Sequence, residues 1–202
     1  MPPSLEERQR VAANRQALDP YTVAIAGGGV AGLSAAIFLA RAGVPVAVFD
    51  RSESSLHRVS KVNNYLGFPD GVGGPDLLRL GRVQAVHFGA EVLDEDVRSV
   101  APRQGGGFDV VTGARTLHAE NLILASNKRT DLATSLGIPL GGHGGRFVSV
   151  DGDGQTSVPG CYAVGRITGL PSQAIISAGD GARVAIAIIQ EIRGGYYVDH
   201  DT

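Results

Sequence analysis

Several short runs of the chain are apolar at nearly every position: Tyr21–Ala26, Val44–Phe49, Asn121–Ala125 and Gly160–Val164. Such runs predict strands covered on both faces, as in a parallel sheet. Longer segments between them carry helical signals. Gly29–Ala42 is followed by Gly43 at the C′ position and by Pro45, a helix stop. A second helix opens at Gly73-Gly74-Pro75, with Pro75 in its first turn, and stops at Gly89. Its apolar Leu77, Leu80, Val83, Val86 and Phe88 fit one face at helical spacing. Ser172–Arg193 reads as a long apolar helix ended by Gly194-Gly195. Ala90–Leu93 is predicted as a further strand. Val97–Val100, Phe108–Thr112 and Arg115–Ala119 alternate between turn signals at Gly105-Gly106-Gly107 and Gly113-Ala114, which predicts an antiparallel meander.

Connections carry the remaining signals. Asn127–Gly145 reads as a loop. Arg146–Val150 and Thr156–Ser157 flank Asp151-Gly152-Asp153-Gly154, which predicts a hairpin. At the start, Ser4-Leu5-Glu6-Glu7 is a capping box for a polar helix reaching about Leu18. The predicted organisation is an N-terminal helical arm over 1–20, one α/β domain over 21–195, and a tail over 196–202.

Composition narrows the class. The chain has 202 residues, 43% hydrophobic and 19% charged, with a formal net charge of −2. This is the balance of a globular domain, and it offers no bulk attraction to nucleic acid or an anionic membrane. The segment Thr22–Ala40 is uncharged and as long as a membrane span, yet three glycines in its middle favour a buried strand-turn-helix. One cysteine, Cys161, and an N-terminus without an apolar leader segment lead to the expectation of a reducing, cytoplasmic setting.

The 29 glycines are about twice the usual share of roughly 7%. Gly27-Gly28-Gly29-Val30-Ala31-Gly32 joins the first strand to the first helix as G-x-G-x-x-G. In that setting Gly27 makes the tight turn, Gly29 lets the backbone approach a pyrophosphate, and Gly32 lets helix and strand pack closely. A helix N-terminus then presents free N–H groups to phosphate. Asp50 ends the second strand, where a carboxylate takes ribose hydroxyls and disfavours a 2′-phosphate. Together these predict dinucleotide binding, and the meander points to a flavoprotein-type nucleotide fold.

Three blocks in order, VAIAGGGVAGLSAAIFLARAG, NNYLGFPDGVGGPDLLRLGRVQAVHFGAEV and TSVPGCYAVGRITGLPSQAIISAGDGARVA, resemble the thioredoxin reductase family of FAD-dependent pyridine-nucleotide disulfide oxidoreductases. The likeness runs from Tyr21 to Arg193. It implies an FAD/NAD(P)-binding Rossmann-like fold with a central parallel sheet, helices and a β-meander. Family members carry an inserted NADPH domain with a second glycine fingerprint and a redox CxxC. Neither motif occurs in this sequence, and the junction falls between about Lys128 and Arg146.

The resemblance also implies contacts. Gly27, Gly29 and Gly32, with Val30 and Ala31 between them, face the FAD pyrophosphate. Asp50, followed by Arg51, holds the adenosine ribose. Val97 matches a backbone contact to adenine, and Asn64 a residue near the flavin ring. Gln173 and Ala174 open the last helix toward the flavin. Ala125-Ser126 and Gly165-Arg166 match two further cofactor-binding stretches. Three departures stand out. Arg166 replaces an aspartate that binds the ribityl chain, and arginine only donates hydrogen bonds. Ala125-Ser126-Asn127 replaces Ala-Thr-Gly, and Asn127 tolerates a left-handed backbone better than most residues. The loop after Asp50, over Arg51–Lys61, is shorter than usual and lacks a Gly-Gly-Gln-Leu segment.

Other reactive side chains read as structural. Cys161 is expected in a buried strand, His87 and His118 at the surface, and Lys128-Arg129 in a solvated loop. His57 has no evident proton-transfer partner. No catalytic residue and no metal site is assigned. The expected function is an FAD-dependent oxidoreductase that takes electrons from NAD(P)H or a protein donor. Two alternatives stand beside it. One is a non-catalytic FAD or nucleotide-binding module, or the flavin subunit of a split reductase. The other is an NAD- or ADP-binding protein. The family leaves a homodimer open.

Overall fold

The computed structural model describes residues 21–198; the helix expected over 4–18 lies outside them, as does the end of the tail. The framework is a seven-stranded sheet. It contains β1 (Tyr21–Ala26), β2 (Val46–Phe49), β3 (Glu91–Leu93), β4 (Ser99–Pro102), β5 (Phe108–Val111), β6 (Thr116–Leu124) and β9 (Cys161–Ala163). Its order is β3-β2-β1-β6-β5-β4, with β9 also paired to β6. β7 (Leu140–Gly141) and β8 (Phe147–Val148) form a separate small hairpin. The helices are α1 (Val30–Arg41), α2 (Gly74–His87), α3 (Asp131–Ser135) and α4 (Ala174–Arg193).

Side chains alternate across a strand with period two, so each apolar run feeds two cores. Val23, Ile25, Val46, Val48, Ile123 and Tyr162 face the first core, which also contains residues of α1, α2 and α4. Ala24, Ala26, Ala47, Phe49, Leu122, Leu124 and Cys161 face the second, roofed by Val100, Phe108 and Val110 of the meander. This is why the parallel strands are apolar at successive positions.

β1 pairs in parallel with β2 on one side and β6 on the other. The chain thus leaves β1 in both directions, and the crevice outside its C-terminal end is the position where open α/β sheets bind ligands. Thr22–Ala40, long enough to span a membrane, is the β1-α1 unit, and among the described residues no helix is long and apolar enough to cross one.

Several expectations need correction. The runs expected over 115–119 and 121–125 are one strand. The first half of β6 pairs antiparallel with β5, and its second half pairs in parallel with β1 and β9. Exposed Glu120 sits where the partner changes, so its polarity does not end the strand. The loop expected over 127–145 contains α3 and the β7 strand, and β8 pairs with β7 instead of with Thr156–Ser157. Asp151-Gly152-Asp153-Gly154 is nonetheless a turn, since Asp151 Oδ1 accepts the N–H groups of Asp153 and Gln155, each at 2.9 Å.

The buried face of α2 is also different. Leu77, Leu78 and Ala85 are buried, whereas Leu80, Val83 and Val86 are 41%, 59% and 52% exposed. α2 lies against α1 through its small side: a Cβ on Gly81 would sit 3.4 Å from Leu33 Cδ1. Close approach of the two helices selects Gly81 and Ala85 for the contact over the larger stripe.

Candidate functional site

The crevice at the end of β1 is a cleft of about 320 Å³, within the size range of ligand sites. Its floor is the glycine turn. Gly27 has φ +126°, and a Cβ there would strike the carbonyl of Ala125. A Cβ on Gly32 would strike Gly27 O, so Gly32 serves helix–strand packing and does not line the cleft. Gly29 faces open space, with Ser54 Oγ at 3.7 Å as its nearest neighbour. Gly29 is also the N-cap of α1, with no side-chain cap and no acidic residue in the first turn. The first N–H groups of α1 therefore point into the cleft without a side-chain partner.

Gly28, a variable position in the fingerprint, is as constrained as its neighbours. A Cβ there would overlap the side chain of Asp50. Asp50 Oδ1 accepts the Ser52 N–H at 2.9 Å, and Ser52 has a left-handed φ of +58°. This Asx turn fixes the carboxylate over Gly28, at the lip of the cleft.

The opposite wall begins where β6 ends. Ala125, Ser126 and Asn127 all line the cleft. Asn127 has φ +59°, the left-handed conformation its side chain tolerates. Ser126 Oγ donates to Arg129 O at 2.7 Å, which closes the turn. Arg129, expected in a solvated loop, lines the cleft and is bound to Asp131 and Asp96. Asp131 first, then Asp96, raises the arginine's pKa further, and Arg129 holds the Asp131 carboxyl below its ordinary range.

At the far end lies the start of α4. Gln173 is its N-cap and has no side-chain cap bond to the helix; Gln173, Ala174 and Ser177 line the cleft. Gln173 Oε1 accepts from Asn64 Nδ2 at 2.9 Å. Asn64 is exposed and outside the lining, so it touches the site through Gln173. Gly165 is also behind the lining. Its φ is +75°, its N–H donates to Asp180 Oδ2 at 2.7 Å, and a Cβ would crowd Ala31. Arg166 lines the cleft, its Nη1 donating to Leu170 O at 3.0 Å and its guanidinium stacked 5.2 Å from the Phe147 ring.

The remaining expected residues Val30, Ala31, Arg51 and Val97 line the cleft as well. Sequence reasoning missed Glu53, Asp96 and Arg129; Glu53 pairs locally with Arg51, whereas Asp96 joins Arg51 and Arg129 across 45 and 33 residues, which no local pattern carries. The other reactive groups lie elsewhere. Cys161 is fully buried, and burial pushes its thiol up to about 12. His57 is exposed outside the lining, and His118 Nδ1 is 2.6 Å from Asp109 on the surface.

The FAD binding domain family matches residues 20–61, which hold the glycine turn, Asp50 and the loop beyond. NADPH-dependent thioredoxin reductase 3 of Arabidopsis thaliana is 38% identical over 110 residues, 52% of this chain and 21% of that protein. The thioredoxin reductase of Mycolicibacterium smegmatis is 38% identical over 121 residues, 59% of this chain and 38% of that one.

Over these stretches the chain is similar to thioredoxin reductases.

It spans well under half the length of those curated relatives. A thioredoxin reductase from Gloeobacter violaceus shares the fold with a TM-score of 0.82 at 18% identity, over 91% of this chain and 98% of that one. A ferredoxin-flavin thioredoxin reductase from Clostridium acetobutylicum does so at 0.71 and 21% identity, over 88% and 100%.

The cofactor is FAD, and the cleft fits it. At Gly29 the glycine floor leaves room that a Cβ would occupy, Asp50 supplies a carboxylate, and two helix N-termini open into one space. At Arg166 the fit rests on donors. The nearby Asp180 is committed to the Gly165 N–H and to Arg183, at 2.8 Å.

Proposed function

We propose that this chain is an FAD-dependent oxidoreductase of one nucleotide-binding domain, with electrons supplied by NAD(P)H or by a protein donor. The observation that carries the reading is the convergence of two helix N-termini, those of α1 and α4, on one cleft at the end of β1. Bound FAD supplies reversible two-electron chemistry, and the chain supplies position and electrostatics.

The residues divide the work. Gly29 gives the diphosphate access to the N–H groups of α1, and Gly28 leaves room for the Asp50 carboxylate. Asp50 accepts ribose hydroxyls, and Val97 borders the adenine. Arg166 donates to a phosphate oxygen, the one anionic partner its chemistry favours there. The α4 N-terminus, at Gln173 and Ala174, places positive potential where negative charge grows on reduction. Asn64 fixes the Gln173 amide through its hydrogen bond.

The chain has one cysteine, buried and with a raised pKa, so reduction of a thioredoxin disulfide by a dithiol of this chain is not part of the reading. The split-reductase alternative calls for an apolar seam near 128–146. The exposed large hydrophobics of the described residues lie outside 126–149.

The test is anaerobic mixing of the FAD-loaded chain with NADH and with NADPH, following the flavin absorbance. Bleaching by either nucleotide supports the reading with a nicotinamide donor. Flavin that stays oxidised with both, yet bleaches with a reduced electron-transfer protein, assigns the donor role to protein. Flavin that no donor reduces contradicts the oxidoreductase reading and leaves the binding module.

A further inference from the structure

The two loops that flank the cleft at its adenosine end are tied together by charge. β2 and β6 lie on opposite sides of β1, so their C-terminal ends are two strand spacings apart, about 10 Å. Arg51 follows β2, and Arg129 follows β6. Neither side chain reaches the other. Asp96, from the segment after β3, joins them: its Oδ2 is 3.3 Å from Arg51 Nη1 and its Oδ1 is 2.8 Å from Arg129 Nη1.

Each arginine has an acidic partner on its own side. Arg51 pairs with Glu53, and Arg129 holds Asp131 with contacts of 2.9 and 3.2 Å. Among the described residues, Asp96 is the side chain in direct ion-pair contact with both banks. Arg51, Asp96 and Arg129 all line the cleft, beside Val97. Their side chains are 31–38% exposed, open enough for the link to break and reform.

We propose that Asp96 is the catch of an ionic clasp, Arg51–Asp96–Arg129, that closes the adenosine end of the cleft and slows FAD release. The inference rests on the reading of this cleft as the FAD site. Asp96 is a positioning residue. It acts by holding the two banks at a fixed separation. A nucleotide leaving by its adenosine end must separate them, which breaks one carboxylate–guanidinium contact.

The test is the rate at which FAD leaves the loaded full chain, read as recovery of flavin fluorescence on dilution. Asp96→Asn keeps the shape and removes the charge. Losing two half-exposed ion pairs accelerates release about three- to tenfold at low salt. The difference shrinks in about 1 M NaCl, where screening weakens the wild-type clasp. Asp96→Glu restores slow release. Asp94→Asn, which removes the Arg82 pair outside the cleft lining, leaves the rate unchanged. Release from Asp96→Asn at the wild-type rate overturns the clasp while leaving the FAD site standing. An acceleration that is the same at low and high salt overturns it too, because it reports damage instead of a lost charge link. A wild-type chain that takes up no FAD overturns the FAD reading and the clasp together.

Discussion

Asp50 and Gly28 show how tightly the cleft is specified one residue at a time. The carboxylate is held over the turn by the Ser52 N–H, and Gly28 is the only residue type that leaves it room. Gly28→Ala is expected to displace the carboxylate from the place proposed for ribose binding and weaken FAD binding about tenfold, in line with losing a hydrogen bond to a charged group. Fluorescence titration checks this, and unchanged affinity contradicts the placement. Cys161 makes the opposite case of a reactive group without a role. Fully buried and with its thiol raised to about 12, it resists iodoacetamide at pH 8 in the folded chain and reacts after denaturation, as mass spectrometry can show; rapid labelling of the native chain contradicts its burial. The places of Gly29 and Asp50 at the cleft were legible because they follow from a local strand-turn-helix pattern. Arg129 and Asp96 were not, because their contact joins residues 33 apart in sequence through a fold that no local signal encodes.

Among the elements, α1 and α4 do most to shape the site, since both begin at the cleft and cross just behind it. The crossing is close: a Cβ on Gly181 would collide with Ala31 O. Gly181→Val is expected to push α4 away from α1 and cost about 1–3 kcal/mol through overpacking, together with weaker FAD binding; a variant with wild-type melting temperature contradicts the crossing. The other end of α4 is tied to β9 by Tyr162, whose hydroxyl donates to Glu191 Oε2 at 2.6 Å. The extent of these elements could be read from apolar periodicity and glycine stops, to within a residue or two. The orientation of α2 could not. Leu80, Val83 and Val86 form a plausible stripe, but helix–helix approach selected the face with Gly81 and Ala85. Hence Leu80→Gln and Val83→Gln should each change stability within about 0.5 kcal/mol, whereas Leu78→Ala, at a site 5% exposed, should cost about 2–5 kcal/mol. Chemical denaturation distinguishes the two faces.

At the scale of the molecule, the cleft depends on loops held by charge and is sensitive to acid. Arg129 lowers the Asp131 pKa in the folded chain. Asp131 thus contributes stability that is present above the ordinary aspartate value of about 3.9 and lost as pH falls through the lowered one. Thermal stability should drop more steeply below about pH 4 in the wild type than in Asp131→Asn; parallel curves contradict the assignment. The parallel sheet and the meander were foreseeable from two kinds of apolar period. Their fusion through β6 was not, since Glu120 and Asn121 look like a break until the strand is seen to change partners there. The whole arrangement converges on one claim, that the cleft at the end of β1 holds FAD with its diphosphate on the α1 N-terminus. Titration of FAD with the purified full chain, followed by flavin fluorescence polarisation and by competition with ADP, tests it most directly. The account predicts saturable binding at one FAD per chain, displaced by ADP. FAD that keeps the polarisation of the free cofactor at saturating protein would contradict it.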